Sequence, residues 1–378
     1  MSNTLDLTKE LISRKSVTPE DAGCQQLIAE RLSKIGFKIE NLQYGEVKNL
    51  WATIGNSGPL FVFLGHTDVV PTGPEEKWKY PPFSATIDGD LLYGRGTADM
   101  KAPVSAFIES AKEFLNLKEE LNFRLAILLT SNEEGTSKDG FIDKIIDRMI
   151  QDDEIIDFCL VGEPTSSEKV ADCVRIGRRG SLGGFLKIYG KQGHVAYPEK
   201  VVNPILLSGD LISKLNNKIW DDGNAAFDPT SFQISNIKSG TGAHNVVPGE
   251  LEIIFNFRFS TESTEESLKT DFESILNELH LNYHIDWDLN GNPYYTKDNF
   301  FKDIVSNSVE EITGYSPELN AKGGTSDGRF VAQMDTEIIE LGPVNKSIHQ
   351  IDEHVKISEL LILKDIYKKI LSNLNQSF

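Results

Sequence analysis

The chain has 378 residues, including 38 Lys or Arg and 57 Asp or Glu, and its formal net charge is −19. A chain this acidic repels a phosphate backbone, which argues against a nucleic-acid-binding protein. Hydrophobic residues account for 39% and charged residues for 25%, a globular rather than disordered composition, and the length suffices for two domains.

The cysteines and the N-terminal residues bear on the cellular compartment. Cys24, Cys159 and Cys173 are odd in number and form no C-x-x-C pair, which suits a reducing cytosol and supplies no thiolate metal site. Residues 1–21 carry acidic residues where a signal peptide has its apolar core, so they predict an amphipathic helix. Since no apolar run approaches the ~20 residues of a membrane span, we expect a soluble cytoplasmic protein.

Helix and strand signals alternate in the first part of the chain. Buried apolar strands separated by amphipathic helices predict an α/β fold, with a mixed, mostly parallel sheet and helices on both faces. The predicted helices cover residues 20–36 and 101–117, and the predicted strands cover residues 50–55, 60–65, 122–135 and 155–164.

The pattern changes near Gly180 to antiparallel strands of an α+β unit, and it returns to the first pattern near Tyr294. We therefore predict a discontinuous catalytic domain, residues 1–179 and 294–378, with an inserted dimerisation domain at residues 180–293. The insert has predicted strands at 178–198, 230–242 and 251–260 and helices at 203–219 and 264–280; the C-terminal part has a helix at 301–314, a strand at 336–343 and a helix from Ser358.

His66 and Asp68 follow the apolar run of residues 60–65 directly. Residues two apart in a strand point to the same side, so these two side chains share a face. In open α/β sheets, ligands bind outside the carboxyl ends of the strands. Other predicted strands lead to acidic or histidine residues in the same way: Asp99, Glu133, Glu134, Glu163 and His349.

Carboxylates that converge on one edge of a sheet repel one another, and divalent cations remove that cost. Each feature alone has a simpler interpretation: His66-x-Asp68 could be a surface pair, and Asp99 could cap the following helix. Several strands ending in acid or histidine together favour a metal centre. Imidazole and carboxylate ligands without thiolate suit Zn²⁺ or a substitute such as Co²⁺ or Mn²⁺.

The order and spacing of these residues resemble a known family, the di-zinc aminoacylase and carboxypeptidase G-like metallohydrolases. The resemblance covers essentially the whole chain and lies first in "GHTDVVP" (65–71), "LYGRGTADMK" (92–101), "TSNEEG" (130–135) and "VGEP" (161–164). It implies two Zn²⁺ per subunit, with Co²⁺ as a possible substitute. In the implied centre, His66 and Glu163 bind one zinc, Glu134 and His349 bind the other, and Asp99 bridges the two. The resemblance also implies that Asp68 hydrogen-bonds to His66. Glu133 is the implied general base and acid.

The family pattern also implies that His194 reaches the active site of a partner subunit and stabilises the oxyanion, so that a homodimer is the catalytic unit. Without the resemblance, His194 is more simply a loop histidine of the inserted domain.

Three further stretches, "GRRGS" (177–181), "GHVAYP" (193–198) and "GGTSDGRF" (323–330), narrow the implied substrate to a succinylated diamino dicarboxylate. The expected reaction is hydrolysis of the amide bond of N-succinyl-LL-2,6-diaminopimelate to succinate and LL-2,6-diaminopimelate, in lysine and diaminopimelate biosynthesis. Substrate carboxylates suit arginine clamps. The implied substrate-binding residues are Arg178 and Arg258 as clamps, with Ser181, Tyr197, Asn245, Gly324 and Thr325 in support.

Two alternatives stay open on the sequence. The chain could be a deacylase with another acyl specificity, such as an acetylornithine deacetylase or an aminoacylase, which activity on N-acetylornithine would reveal. It could also be a non-catalytic binding protein on the same fold, which would show loss of a metal ligand or of Glu133; none is lost.

Overall fold

The computed structural model describes residues 3–117, 120–135, 142–297 and 299–378. The chain divides into two compact units. The first unit comprises Met1–Gly177, Thr296–Asn320 and Ser326–Phe378, and the second comprises Arg178–Tyr295 and Ala321–Thr325.

The helices of the described residues, in chain order, are α1 (Asn3–Ile12), α2 (Cys24–Ser33), α3 (Ala102–Leu115), α4 (Ile142–Gln151), α5 (Pro204–Asn217), α6 (Glu265–Glu278), α7 (Phe300–Thr313), α8 (Gly328–Val331) and α9 (Ile357–Gln376). Across the described ranges, no helix combines the length and the apolar character that crossing a membrane requires.

The strands are β1 (Lys38–Tyr44), β2 (Val47–Ile54), β3 (Leu60–His66), β4 (Thr86–Asp88), β5 (Leu91–Tyr93), β6 (Arg124–Thr130), β7 (Phe158–Val161), β8 (Cys173–Arg175), β9 (Gly177–Arg178), β10 (Gly180–Tyr189), β11 (Gly193–His194), β12 (Ser231–Ser239), β13 (Val246–Val247), β14 (Glu250–Phe259), β15 (Tyr283–Gly291), β16 (Tyr294–Tyr295), β17 (Glu318–Asn320), β18 (Glu337–Glu340) and β19 (His354–Lys356).

The first unit is built on an eight-stranded sheet with the order β1-β2-β6-β3-β7-β18-β8-β17. Its four central strands β6, β3, β7 and β18 are parallel to one another, while the pairs β1–β2, β2–β6 and β18–β8 are antiparallel. This is the mixed, mostly parallel sheet that the sequence predicts. Because the four central strands run the same way, their carboxyl ends meet at one edge.

Strand β3 shows why this sheet lies at the centre of the unit. All seven of its residues are buried, as expected for a parallel strand covered on both faces. The Phe63 ring stacks on Phe107 of α3 with centroids 4.0 Å apart and meets Tyr367 of α9 edge-on at 5.9 Å. The same apolar packing therefore fixes β3 and the helices beside it.

The second unit contains a four-stranded antiparallel sheet, β12-β14-β10-β15, packed with α5 and α6 around its own core. Alternate residues of β14 are buried, which is the period of a strand with one covered face. Gly184 of β10 lies opposite Phe255 of β14, and a Cβ at Gly184 would come within 2.2 Å of the Phe255 ring. Glycine at this position therefore leaves room for the ring across the sheet.

Among the described strands of seven or more residues, two are absent from the sequence-based prediction, as are several strands of two to four residues. β1 pairs antiparallel with β2, and β15 pairs antiparallel with β10. Neither strand has a fully buried residue, so neither carries the apolar run or the strong alternation by which the other strands were recognised.

We predict that Phe272→Ala lowers the free energy of unfolding by about 3–5 kcal/mol, because it removes a large buried ring from the second unit's core. Phe272 is fully buried and stacks on Phe255 at 4.5 Å. The measurement is urea unfolding followed by tryptophan fluorescence. Phe185→Ala is the matched control. Phe185 lies on β10 of the same unit with half its surface exposed, and its replacement should lower the free energy of unfolding by less than about 0.5 kcal/mol. Equal losses for the two variants would contradict this account of the core.

Candidate metal centre

The central strands carry the candidate ligands at their carboxyl ends. β3 ends at His66, β6 leads to Glu133 and Glu134, β7 leads to Glu163, and β18 leads into the turn that bears His349. In β7 and in the first six residues of β3, the chain is apolar and buried up to the sheet edge, and the candidate ligands Glu163 and His66 follow at once. The remaining acid, Asp99, lies in the loop of residues 97–101 just before α3, where the backbone at Asp99 and Met100 is not helical.

His66 is buried, and its two ring nitrogens face different groups. Nε2 lies 3.1 Å from Asp99 Oδ1 and 3.7 Å from Glu163 Oε1. Nδ1 lies 2.9 Å from the backbone carbonyl oxygen of Asp68. Because a carbonyl only accepts, Nδ1–H donates to it, and Nε2 is left facing the acids. This orientation is typical of metal-binding histidines, whose other nitrogen donates to a carbonyl or carboxylate.

Asp68 hydrogen-bonds to His66 through its backbone carbonyl and not, as expected, through its carboxylate. Its carboxylate Oδ1 lies 3.6 Å from His66 Nδ1, while the backbone carbonyl of the same residue makes the hydrogen bond. The carboxylate instead accepts hydrogen bonds from the backbone N–H groups of Glu133, at 3.2 Å, and Glu134, at 3.1 Å. Asp68 is fully buried and therefore holds both the histidine and the turn that carries the two glutamates.

Asp99 lies between the two histidines. Its Oδ1 is 3.1 Å from His66 Nε2, and its Oδ2 is 3.3 Å from His349 Nε2. His349 Nε2 is also 3.0 Å from Glu134 Oε1. One carboxylate thus presents an oxygen to each half of the cluster, which is the arrangement that a bridging ligand requires.

The electrostatics of the cluster favour positive charge. Burial raises the pKa of Glu133 to about 8, and the nearby Asp327 and Glu134 carboxylates add to this shift. Burial likewise raises the pKa of Glu163 well above its ordinary value. Hydrogen bonds to Asp99 and Glu134 raise the pKa of His349 to about 10. Asp99 is the exception: burial acts to raise its pKa, but hydrogen bonds to His349 and His66 lower it. A bound cation would relieve the repulsion between the buried carboxylates.

The donor atoms also match a metal in kind and spacing. Three groups of residues place their ligand atoms within 4.8 Å of one another: His66, Asp99 and Glu163; Asp99, Glu134 and His349; and His66, Glu133 and Glu134. The first two groups share Asp99 and contain all five residues predicted as ligands. Imidazole nitrogen and carboxylate oxygen suit Zn²⁺ and its close substitutes. The third group leaves Glu133 as a competing candidate ligand.

His194, Tyr197 and Asn245 belong to the second unit, where His194 lies on one of two paired short strands and the other two residues lie close to that pair in the chain. His194 of β11 pairs with Val246 of β13, and the backbone N–H of Val195 donates to the carbonyl of Asn245 at 3.1 Å. The His194 ring is exposed, its Nδ1 accepts from the backbone N–H of Ala196 at 3.0 Å, and its centroid is 5.8 Å from that of Tyr197.

The predicted arginine clamps also lie in the second unit. Arg258 of β14 pairs with Ser181 of β10, and burial lowers the pKa of Arg258, with a further contribution from the positive charge of Arg179. Arg178 is buried and donates from Nη1 to the carbonyl of Lys322 at 3.4 Å. A Cβ at Gly323 would come within 2.4 Å of that Nη1, so the 321–325 segment, which includes Gly324 and Thr325, lies close against Arg178.

Sequence reasoning missed three buried charged residues of the first unit that surround the metal centre: Arg95, Asp327 and Glu353. Asp327 is the largest like-charge influence on Glu133, and burial raises its own pKa to about 6. Arg95 and Asp327 stand inside motifs that were recognised, "LYGRGTADMK" and "GGTSDGRF", and Glu353 follows His349 by four residues. The two motifs were therefore a signal for Arg95 and Asp327, and only its position close to His349 was a signal for Glu353.

Residues 62–373 match the family model described as peptidase family M20/M25/M40. The chain is 52% identical over 376 residues to a protein of Hydrogenovibrio crunogenus named succinyl-diaminopimelate desuccinylase, with 99% of each chain covered. A protein of Methylococcus capsulatus with the same name is 51% identical over 374 residues, again with 99% of each covered. Among solved structures, an M20 family metallo-carboxypeptidase from Sulfolobus solfataricus superposes with a TM-score of 0.82 at 18% identity, covering all of both chains, and so shares the fold.

Exchanging each neighbouring glutamate separately tests their roles. We predict that Glu134→Gln weakens one of two bound metals, because Glu134 lies 3.0 Å from His349 Nε2 and beside Asp99. Glu133→Gln should retain both metals and lose turnover by about 10²–10⁴-fold, the usual contribution of a positioned base. Elemental analysis after dialysis and steady-state kinetics give the two readouts. Metal loss in Glu133→Gln but not in Glu134→Gln would reverse the assignment.

Proposed function

The chain belongs to peptidase family M20/M25/M40, and from this we propose that it hydrolyses the amide bond of N-succinyl-LL-2,6-diaminopimelate to succinate and LL-2,6-diaminopimelate. The observation that carries the proposal is the near-complete alignment, at about half identity, with relatives named for this reaction. The reaction is a step of lysine and diaminopimelate biosynthesis, and we place it in the cytoplasm.

We assign two Zn²⁺ per subunit to the centre, with Co²⁺ as a substitute. His66 and Glu163 would hold one ion, Glu134 and His349 would hold the other, and Asp99 would contribute an oxygen to each. The opposed oxygens of Asp99, each beside a different imidazole, support this division. When bound, such a pair of cations polarises the amide carbonyl and lowers the pKa of the attacking water.

Glu133 serves as the base and then as the acid. Its carboxylate takes one proton from the water as the new C–O bond forms, and returns it to the amide nitrogen as the C–N bond breaks. The amine then leaves with the proton it needs, and the carboxylate of Glu133 is restored. Asp68 fixes the position of Glu133 for both proton transfers, because its carboxylate accepts hydrogen bonds from the backbone N–H groups of Glu133 and Glu134.

The substrate offers several carboxylates, and the second unit offers arginines to bind them. Arg178 and Arg258 act as the clamps, since a guanidinium matches a carboxylate with two parallel hydrogen bonds. Ser181, Tyr197, Asn245, Gly324 and Thr325 complete the polar set. The partly buried Arg258, beside Arg179 and with a lowered pKa, supports an anion-binding role for this region.

We propose that the active unit is a homodimer formed through the second unit, with His194 donated to the partner's reaction centre. Two observations support this. The His194 ring is exposed on β11. The second unit also presents several large apolar side chains to solvent, with Leu206 of α5 at 75% exposure, and such exposure marks an interaction surface.

The competing functions are less well supported. A deacylase for acetylated or other acyl amino acids would share the metal centre, but the relatives at about half identity are named for the succinylated substrate. A non-catalytic protein would have no need of Glu133 beside a complete set of ligands, yet the structure brings all of them together.

We predict that the purified protein hydrolyses N-succinyl-LL-2,6-diaminopimelate far faster than N-acetylornithine. Removing metal with a strong chelator should abolish the activity, and Zn²⁺ or Co²⁺ should restore it. Amide hydrolysis followed by the release of free amine gives the rate. Preference for N-acetylornithine would favour the alternative deacylase, and full activity in protein shown to be metal-free would end the metal-dependent mechanism.

A shared active site predicts complementation between two inactive variants. His194→Ala lacks the oxyanion donor, a loss of about 10²–10³-fold, while Glu133→Gln lacks the base. A heterodimer of the two has one complete site out of two, so its activity should recover to roughly half of wild type. Differently tagged chains, mixed, exchanged and purified as heterodimers, provide the sample. If verified heterodimers stay as inactive as either parent, or if a monomer works at the wild-type rate, the shared site is wrong.

A further inference from the structure

Glu353 is buried, and its two carboxylate oxygens accept hydrogen bonds from four N–H groups. Its Oε2 accepts from Arg95 Nη1 at 2.7 Å and from the backbone N–H of Gly96 at 3.0 Å. Its Oε1 accepts from the backbone N–H of Ala98 at 2.8 Å and from that of Asp99 at 3.2 Å. The backbone carbonyl of Glu353 also accepts from the N–H of Gly94 at 2.9 Å. One residue thus holds the loop that carries Asp99 along most of its length.

Arg95 extends this contact to the other ligand-bearing segments. Beyond Glu353, its Nη1 donates to the carbonyl of Gln350 at 3.2 Å, and its Nη2 donates to the carbonyl of Pro71 at 3.3 Å. Gln350 is the residue after His349, and Pro71 follows the segment of His66 and Asp68 by three residues. The buried guanidinium therefore ties together the three chain segments that present His66, Asp99 and His349.

The backbone of the loop is shaped to wrap around this carboxylate. Gly96 has φ of 81°, in the left-handed region that favours glycine, and a Cβ there would meet Val69 at 2.4 Å. The neighbouring strands continue the contact, because β19, which follows Glu353, pairs antiparallel with β5, which precedes Gly94. The segment of Glu353 is thus bound to the loop of Asp99 by side-chain hydrogen bonds and to the residues before that loop by strand pairing.

We propose that Glu353 and Arg95 are positioning residues that set Asp99 between the two histidines, and that they fix above all the half of the centre formed by Asp99, Glu134 and His349. The proposal rests on the metal centre of the proposed function. It extends that function by assigning a role to two residues that touch no proposed ligand atom and act through the backbone of Asp99 and the segment of His349.

The contacts require a charged carboxylate at position 353. Four N–H donors converge on its two oxygens, so a protonated carboxyl would set an O–H against a donor. A glutamine has nearly the same shape, but its NH₂ would face either Arg95 and Gly96 or Ala98 and Asp99. In either orientation two of the four donors lose their acceptor, and the loop of Asp99 loses its fixed position.

The test is metal affinity, measured separately from turnover. We expect Glu353→Gln to weaken one of two Zn²⁺ equivalents by about 10–100-fold in a chelator competition, the usual effect of losing a partner that orients a ligand. The other equivalent should change less. The Co²⁺-loaded variant should show an altered visible absorption spectrum, because the coordination of one ion changes. A circular-dichroism spectrum at the titration temperature establishes that the protein is folded.

Glu109→Gln is the matched control. Glu109 is an equally buried carboxylate of α3 in the same unit, paired with Lys112 at 3.0 Å and Arg31 at 3.9 Å, and within the described part of the chain it makes no hydrogen bond to the loop of Asp99. It should bind both metals as wild type does. If Glu353→Gln fails to fold, Arg95→Lys replaces it: a lysine keeps the charge but cannot reach Glu353, Gln350 and Pro71 together, so it should weaken the same equivalent.

The outcomes separate this proposal from the function on which it rests. Wild-type protein that binds no pair of metals contradicts the metal centre itself, and with it the positioning role. Wild-type protein that binds two metals, with a folded Glu353→Gln or Arg95→Lys variant that binds both equally well, overturns the positioning role and leaves the function standing. Weakened binding in these variants, with Glu109→Gln unchanged, supports it.

Discussion

The first unit depends on placing several carboxylates beside two imidazoles at one edge of a buried sheet. Removing a charge from water is costly unless an opposite charge or hydrogen-bond donors replace the solvent. Here Asp68, Asp99, Glu133, Glu134 and Glu163 are buried or partly buried around His66 and His349. The raised pKa values of Glu133 and Glu163 express that cost, whereas hydrogen bonds to Asp99 and Glu134 raise the pKa of His349 by favouring its charged form. A site with this imbalance attracts cations, and the fold holds the acids in place to use them.

The acids are held in place by backbone N–H groups in two separate clamps. Asp68 accepts from the N–H groups of Glu133 and Glu134, and Glu353 accepts from those of Gly96, Ala98 and Asp99. In each clamp a carboxylate that is not a proposed metal ligand fixes the chain that carries one. Backbone donors are rigid, because their positions follow from the loop itself. The side chains that would meet the ions are thereby positioned before any ion binds, which lowers the cost of assembling the centre.

The two units divide the chemistry between them. Every proposed metal ligand and the proposed base belong to the first unit, whereas the proposed arginine clamps and His194 belong to the second. Each unit has a core of its own, so substitutions in the binding residues of one need not disturb the packing of the other.

Helices and strands with a strong local pattern of apolar residues could be predicted from the sequence alone. The apolar run of β3, the helices α3 and α9 and the alternation of β14 were readable because burial imposes a period on neighbouring residues. The acidic and histidine residues at the strand ends could also be predicted, because they follow apolar runs in the sequence. Strands β1 and β15 were not predicted, because they are partly exposed and pair with partners that local pattern does not reveal.

Only the tertiary structure decided which groups meet. It gave the His66 hydrogen bond to the carbonyl of Asp68 rather than to its carboxylate, and it turned that carboxylate towards the glutamates. It also joined Arg95 to Glu353 across 258 residues of chain. Such contacts leave no periodic trace, because they depend on loops that meet only after the sheet has formed. Local sequence sets which side chains are available at the sheet edge, and the packing of distant segments sets their distances and partners.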